Sequence, residues 1–143
     1  MEQRLSLVTL GVADLDRSRR FYEDGLGWKR GNKEDSVVFF QLPGAILALW
    51  SRAALAEDAG LPDAAPGAGF GGMALAYNAR SREDADTVLA EAAKAGAKIL
   101  KPAHETVWGG YSGYFADPDG HVWEVAHNPF WTVDEAGHVR MPG

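Results

Sequence analysis

The segment Phe39-Phe40-Gln41-Leu42-Pro43-Gly44-Ala45-Ile46-Leu47-Ala48-Leu49 can be laid over Tyr114-Phe115-Ala116-Asp117-Pro118-Asp119-Gly120-His121-Val122-Trp123-Glu124-Val125, with one extra residue in the second turn. Each is an aromatic strand, a Pro/Gly turn and an apolar strand, which is the pattern of a hairpin. The chain also repeats upstream of each hairpin. Residues 5–10 (LSLVTL) form a short apolar strand, and Asp14-Leu15-Asp16 starts a helix. Leu15, Ser18, Phe21, Tyr22 and Leu26 recur at helical spacing until Gly25 and Gly27 stop it. In the second half residues 73–77 (MALAY) read as a strand, and Ser81-Arg82-Glu83-Asp84 reads as a capping box with Asp in the Glu place. Ala85, Val88, Leu89, Ala92 and Ala93 form the apolar stripe of the second helix, and Gly96 ends it. The expectation is an α+β fold of two βαβββ modules in a single domain, residues 1–143. Module one runs 4–52 and module two 71–129, with an Ala-, Gly- and Pro-rich linker at 53–70 and a tail at 130–143.

Composition narrows the function classes. With 143 residues the chain is long enough to bury a core without staples. It contains no cysteine, so thiol nucleophiles, disulfides and thiolate metal sites are excluded. A formal charge of −6 argues against phosphate-backbone binding, and no nucleic-acid partner is expected. No run approaches the ~18 apolar residues of a membrane span, and no signal core opens the chain. No membrane partner and a cytoplasmic location are therefore expected.

Leu7-Val8-Thr9-Leu10-Gly11-Val12-Ala13-Asp14-Leu15-Asp16-Arg17-Ser18-Arg19-Arg20-Phe21-Tyr22, followed by Leu26-Gly27-Trp28, resembles the opening of the vicinal-oxygen-chelate superfamily of glyoxalases, bleomycin-resistance proteins and extradiol dioxygenases. Phe115 to Val125 resembles its closing hairpin. The resemblance spans roughly residues 5–129. It implies that the strands of both modules curl into a cup-shaped mixed sheet with helices outside, and it implies a homodimer. Metal-dependent members place four ligands, usually His and Glu, on equivalent strands. Carried over, those positions fall on Leu7, Ala48, Gly72 and Glu124, of which only Glu124 can coordinate. Several donors must converge to hold a divalent ion, so no metal and no cofactor are expected. His104, His121, His127 and His138 leave a displaced site conceivable, although His121 and His127 have opposite strand parity to Glu124.

Alternation assigns the faces. Val122, Ala126 and Asn128 share Glu124's face on the last strand, as do Gly72, Ala74, Ala76 and Asn78 on the strand opening module two. In module one the corresponding face carries Leu5, Leu7, Thr9, Ile46, Ala48 and Trp50. The bulky Met73, Leu75, Trp123, Val125, Leu47 and Leu49 point to the helices. Small residues on a concave face leave room for a ligand, and a few polar groups would orient it; close packing against the linker or a partner subunit is the structural alternative. Glu124, an acid within Val-Trp-Glu-Val-Ala, is the candidate catalytic residue, either as general base or as a ligand anchor. Trp108 and Tyr111, on the glycine-rich stretch Trp108-Gly109-Gly110-Tyr111-Ser112-Gly113-Tyr114, are candidates for the rim, while Tyr114 is expected to pack.

The candidate ligand-binding set is thus Leu7, Thr9, Ala48, Trp50, Gly72, Ala74, Asn78, Trp108, Tyr111 and Glu124. The residues Gly67-Ala68-Gly69-Phe70-Gly71-Gly72 match GxGxxG but precede a strand, so a dinucleotide site is not indicated. Three readings stay open. The first is a metal-free protein binding a small organic molecule. The second is a metal-independent lyase or isomerase using Glu124 as base, and the third a metal-dependent lyase or dioxygenase with displaced ligands.

Overall fold

The computed structural model describes residues 1, 3, 5–64 and 69–143. The residues 65–68 of the expected linker, and with them Gly67 and Ala68 of the GxGxxG match, lie outside the described set. The chain divides into two compact units, Met1–Gly72 and Met73–Gly143.

In the first unit β1 (Leu7–Val12) leads to α1 (Leu15–Arg20), whose N-cap Asp14 accepts the Arg17 amide at 2.9 Å. A π-helical turn, Phe21–Gly25, continues α1 and lets Leu26 donate to the Phe21 carbonyl. β2 (Val37–Leu42) and β3 (Ala45–Ser51) follow, and the sheet runs β1-β3-β2 with β1 parallel and β2 antiparallel to β3. The first of the three expected antiparallel strands is reduced to one bridge, Arg30 to Phe40. The Asn32 side chain supplies the rest of that edge. Its Oδ1 accepts the Phe39 amide (2.9 Å) and its Nδ2 donates to the Val37 carbonyl (2.8 Å). Leu10, Val12, Val38, Phe40, Leu47 and Leu49 are buried on one sheet face, together with Phe21 and Tyr22 from the π turn.

The stretch read as linker opens with a helix, α2 (Arg52–Asp58), capped by Ser51. It crosses the opposite face of the sheet at Gly11, where an added Cβ would meet Arg52 Cα at 3.3 Å and Leu55 Cδ2 at 3.4 Å.

The second unit holds β4 (Ala74–Asn78), α3 (Arg82–Ala95), β5 (Lys98–Glu105), β6 (Tyr111–Ala116) and β7 (Val122–His127), a complete βαβββ module in the order β4-β7-β6-β5. Ser81 caps α3 by accepting the Asp84 amide at 3.0 Å, and Gly96 ends it in the left-handed conformation. Ala85, Leu89 and Ala92 of α3 and Phe115, Trp123 and Val125 of the sheet are buried, with the rings of Phe115 and Trp123 stacked at 6.1 Å. The register of β5 on β6 slips twice between Ile99 and His104, around Pro102, which has no amide to donate; β5 is an edge strand, where this is tolerated. Both modules thus have the expected mixed sheets and α+β class.

The tail forms a small hairpin, β8 (Thr132–Val133) with β9 (Val139–Arg140). Its turn, Asp134 to His138, repeats the turn Asp117 to His121. In both, the Asp side chain accepts the His amide, the His Nδ1 lies 3.0 Å from a carboxylate oxygen, and the Gly amide donates to the Asp carbonyl.

Candidate functional site

β7 runs through the middle of the second sheet, and its register fixes what surrounds Glu124. Glu124 lies opposite Ala76 on β4 and Tyr114 on β6, and Tyr114 in turn lies opposite Lys101 on β5. On either side of this row come Ala74, Val122 and Ala116, and Asn78, Ala126 and Ser112. Paired residues of neighbouring strands project to the same face, so the expected grouping of Ala74, Asn78 and Glu124 holds. The face is open along β4, where Ala74 and Ala76 are exposed, and closed around Ser112, Ala116 and Ala126, which are buried; Glu124 is half-buried between them.

Tyr114 is therefore not a core aromatic. It is half-buried on Glu124's face, while its neighbours Gly113 and Phe115 point toward α3. Burial, the negative charge of Glu124 and hydrogen bonding toward that carboxylate hold the Tyr114 hydroxyl above the usual phenol range. Glu124→Gln keeps the shape and removes the charge. The Tyr114 titration, followed by ring-carbon NMR, is expected to move down toward the ordinary tyrosine value; an unmoved titration would show that the carboxylate does not act on it.

Tyr111 lies elsewhere. It is on the α3 side of β6, where its hydroxyl donates to Asp86 Oδ1 at 2.8 Å and the Arg82 guanidinium sits 5.6 Å from its ring centre. Arg82 also pairs with Glu105 at 2.6 Å. Three residues separate Tyr111 from Tyr114, so strand parity sends them to opposite faces. Trp108 sits at the β5–β6 turn with its ring over Gly110, where an added Cβ would lie 1.8 Å from Trp108 Cζ3. Phe130 of the tail covers the same turn at Gly109.

Gly72 precedes β4 with φ +86, exposed and outside the ladder, and Met73 is also exposed rather than packed toward the helix. The helix caps reveal the true equivalences between modules. Leu7 lies seven residues before the cap Asp14, and the residue seven before the cap Ser81 is Ala74. Thr9 pairs with Ala48 in the first sheet as Ala76 pairs with Glu124 in the second. The equivalent positions are thus Leu7 and Ala48 in one unit, Ala74 and Glu124 in the other.

In the first unit Leu7, Thr9, Ala48 and Trp50 share the face away from α1, with Phe39 beside Ala48. Leu7 is exposed, Thr9 and Trp50 are half-buried, and Ala48 is fully buried. A cleft of about 290 Å³ lies on the other side of this unit, lined by Leu15, Asp16, Arg19, Arg30, Asp35 and Val38. Its charges neutralise one another: Arg19 pairs with Asp16 and Glu23, and Arg30 is held by Asn32, the Glu34 carbonyl and Asp35.

All four histidines have polar neighbours of their own. His121 meets Asp117, His138 meets Asp134, His127 Nδ1 is 3.3 Å from the Ala79 carbonyl, and His104 Nδ1 is 3.2 Å from the Pro102 carbonyl. Among the described residues no three His, Asp or Glu side chains gather closely enough to hold a metal ion. No helix among them is long and apolar enough to cross a membrane.

The family model of the Glyoxalase/Bleomycin resistance protein/Dioxygenase superfamily matches residues 4–125, and the chain belongs to that superfamily. Among solved structures it is similar to a glyoxalase-related enzyme from Fulvimarina pelagi, at 38% identity and a TM-score of 0.89, covering 99% of this chain and 100% of that one. A glyoxalase/bleomycin resistance protein/dioxygenase from Nocardioides is 26% identical, with a TM-score of 0.74 over 89% of this chain and 84% of that one. A lactoylglutathione lyase from Agrobacterium tumefaciens, 21% identical with a TM-score of 0.67 over 89% of this chain and 95% of that one, shares the fold. No curated protein matches the sequence.

Proposed function

We propose that this superfamily member binds a small organic molecule on the open face of its second sheet, with Glu124 as polar anchor and without a divalent metal. The observation that carries this is the donor set. The equivalent positions hold Leu7, Ala48, Ala74 and Glu124, which offer one coordinating group where a divalent ion needs several. Alanines around the carboxylate leave space, and Asn78 and Tyr114 add a few polar groups to orient a ligand, the usual make-up of a small-molecule site. The chain is also proposed to pair with a second copy, since β1 and β4 are each bonded on one edge only.

The second reading is a metal-independent lyase or isomerase in which Glu124 takes a proton. The Tyr114 hydroxyl opposite Glu124 favours it, because a carboxylate and a phenol together can accept and return a proton. So does the description of the Fulvimarina pelagi relative as a glyoxalase-related enzyme.

Protein purified without chelator and without nickel affinity should carry far less than one equivalent of any divalent metal by plasma mass spectrometry; one full equivalent sinks the metal-free reading. Small organic fragments should shift the amide resonances of β4, β6 and β7, and shifts confined to other elements would sink the proposed face.

A further inference from the structure

The cleft of about 290 Å³ in the first unit has room for a small molecule of its own, near the lower end of ligand-site volumes. Its charges balance, but they are held with unequal firmness. Arg19 is closed by Asp16 and Glu23, each at 2.8 Å, and Asp16 also meets Arg20 at 3.0 Å. Arg30 is held differently. Its side chain is only 18% exposed; its Nε donates to Asn32 Oδ1 at 3.3 Å and its Nη2 to the Glu34 carbonyl. Those acceptors are neutral. They fix the plane of the guanidinium and occupy two of its five N–H groups, leaving both on Nη1 and one on Nη2. The acid opposite is Asp35, whose side chain is 100% exposed and stands 3.8 Å from Nη1, beyond hydrogen-bond length. The Glu34 carboxylate also lies within the field of Arg30, but it accepts from Asn32 Nδ2 at 3.0 Å. Arg30 and Asp35 are thus an oriented cation and a solvated anion that do not touch.

Whatever enters between them has to keep both charges matched. A plain carboxylate would take the Arg30 fork, strand Asp35 and meet the charge of Glu34 as well. A plain ammonium would take Asp35 and strand Arg30, the more buried of the two and the costlier to leave unpaired. A zwitterion matches both. An α-amino acid carries its carboxylate and its ammonium on one carbon, so the first can lie across Nη1 and Nη2 while the second meets Asp35. Arg30 is already oriented, and Asp35 is free to turn in solvent, so neither has to give up a firm partner. Leu15 and Val38 supply the apolar lining. We infer that this cleft binds a free amino acid with a small apolar side chain. Its carboxylate sits on Arg30, its ammonium on Asp35 and its side chain against Leu15 and Val38. The site is separate from the face around Glu124 and does not rest on it.

The test uses the full chain, ¹⁵N-labelled, titrated at pH 7 with three probes of one shape. These are L-leucine, 4-methylpentanoate, which lacks the amine, and 3-methylbutylammonium, which lacks the carboxylate. Leucine should shift the amides of Leu15, Arg19, Arg30, Asp35 and Val38. It should bind at least about tenfold more tightly than either of the others, the scale of one charge-assisted hydrogen bond. Asp35→Asn, at a side chain wholly in solvent, should leave the fold intact and bring leucine down to the level of 4-methylpentanoate. Arg30→Lys keeps the charge but not the fork, so it should weaken leucine and 4-methylpentanoate several-fold and leave 3-methylbutylammonium unchanged. Glu124→Gln should change none of the three. Equal affinities for the probes, or a leucine preference that survives Asp35→Asn, overturns the inference. Leucine shifts confined to β4, β6 and β7 overturn it too, while leaving the face around Glu124 standing.

Discussion

Phe40→Ala should lower the free energy of unfolding by about 3–5 kcal/mol, with Phe39→Ala costing roughly half of that or less. The two rings are adjacent in sequence and opposite in environment. Phe40 is 1% exposed, with its ring 5.8 Å from that of Tyr22 and 5.5 Å from that of Trp28. Phe39 points the other way, half-buried, beside Ala48. Truncating Phe40 removes aromatic area and leaves a cavity that the rigid sheet cannot close. A loss of that size is a third or more of the ~5–15 kcal/mol that holds a domain folded. Urea unfolding of the two variants measures the difference. Equal costs would mean that the sheet does not turn its alternate faces as described.

Gly113→Ala should cost about 2–3 kcal/mol, by overpacking rather than by backbone conformation. Gly113 is not among the glycines at positive φ, yet a Cβ there would sit 2.8 Å from the Ala103 amide nitrogen, from the Lys101 carbonyl oxygen and from Leu89 Cδ1. Two of those three atoms are backbone of β5 and cannot swing aside. The irregular β5 passes over β6 at this point, and α3 presses Leu89 onto it. Leu89→Ala combined with Gly113→Ala is therefore expected to recover only part of the loss beyond its own cost. Gly71→Ala, where nothing lies within 4 Å and φ is ordinary, should change stability by no more than about 0.5 kcal/mol in the same melts. A Gly113→Ala variant as stable as Gly71→Ala would place α3 farther from the sheet than the structure does.

Much of this was legible in the sequence because strand parity and helix caps are local. The Asp-Pro-Asp-Gly turn fixes the antiparallel register of β6 on β7, and with it the pairing of Ala126 with Ser112 and of Glu124 with Tyr114. The same logic reveals Tyr114 as a neighbour of Glu124 and sends Tyr111 to the other face. The clustering of Trp108, Tyr111 and Tyr114 does not by itself tell the two tyrosines apart; parity does. Carried over from the resemblance, the position opening module two falls on Gly72, whereas counting back seven residues from the cap Ser81 leads to Ala74. The helix α2 also left a local trace, in the cap Ser51 followed by Ala53, Ala54, Leu55 and Ala56, all strong helix formers apart from the cap. Two features had no local signal. The slip of β5 around Pro102 depends on how β6 and α3 receive it. The stand-in role of Asn32 is visible only once Val37 and Phe39 lie beside it.

The burial of Ala48 limits what the first sheet can accept there. Its counterpart Glu124 is half-buried, whereas Ala48 is 0% exposed on the face that α2 crosses. Leu7 and Ala74 are exposed, so a polar side chain could be placed at either position by one substitution without displacing a neighbour. At position 48 a longer polar side chain would first have to force its neighbours apart, and would bear the cost of overpacking and of a buried charge together. Position 48 is thus closed to a longer side chain, whereas positions 7 and 74 would admit one. A second polar side chain added by design is expected to be accepted at position 74, in the row next to Glu124, and to unfold the first unit when placed at position 48.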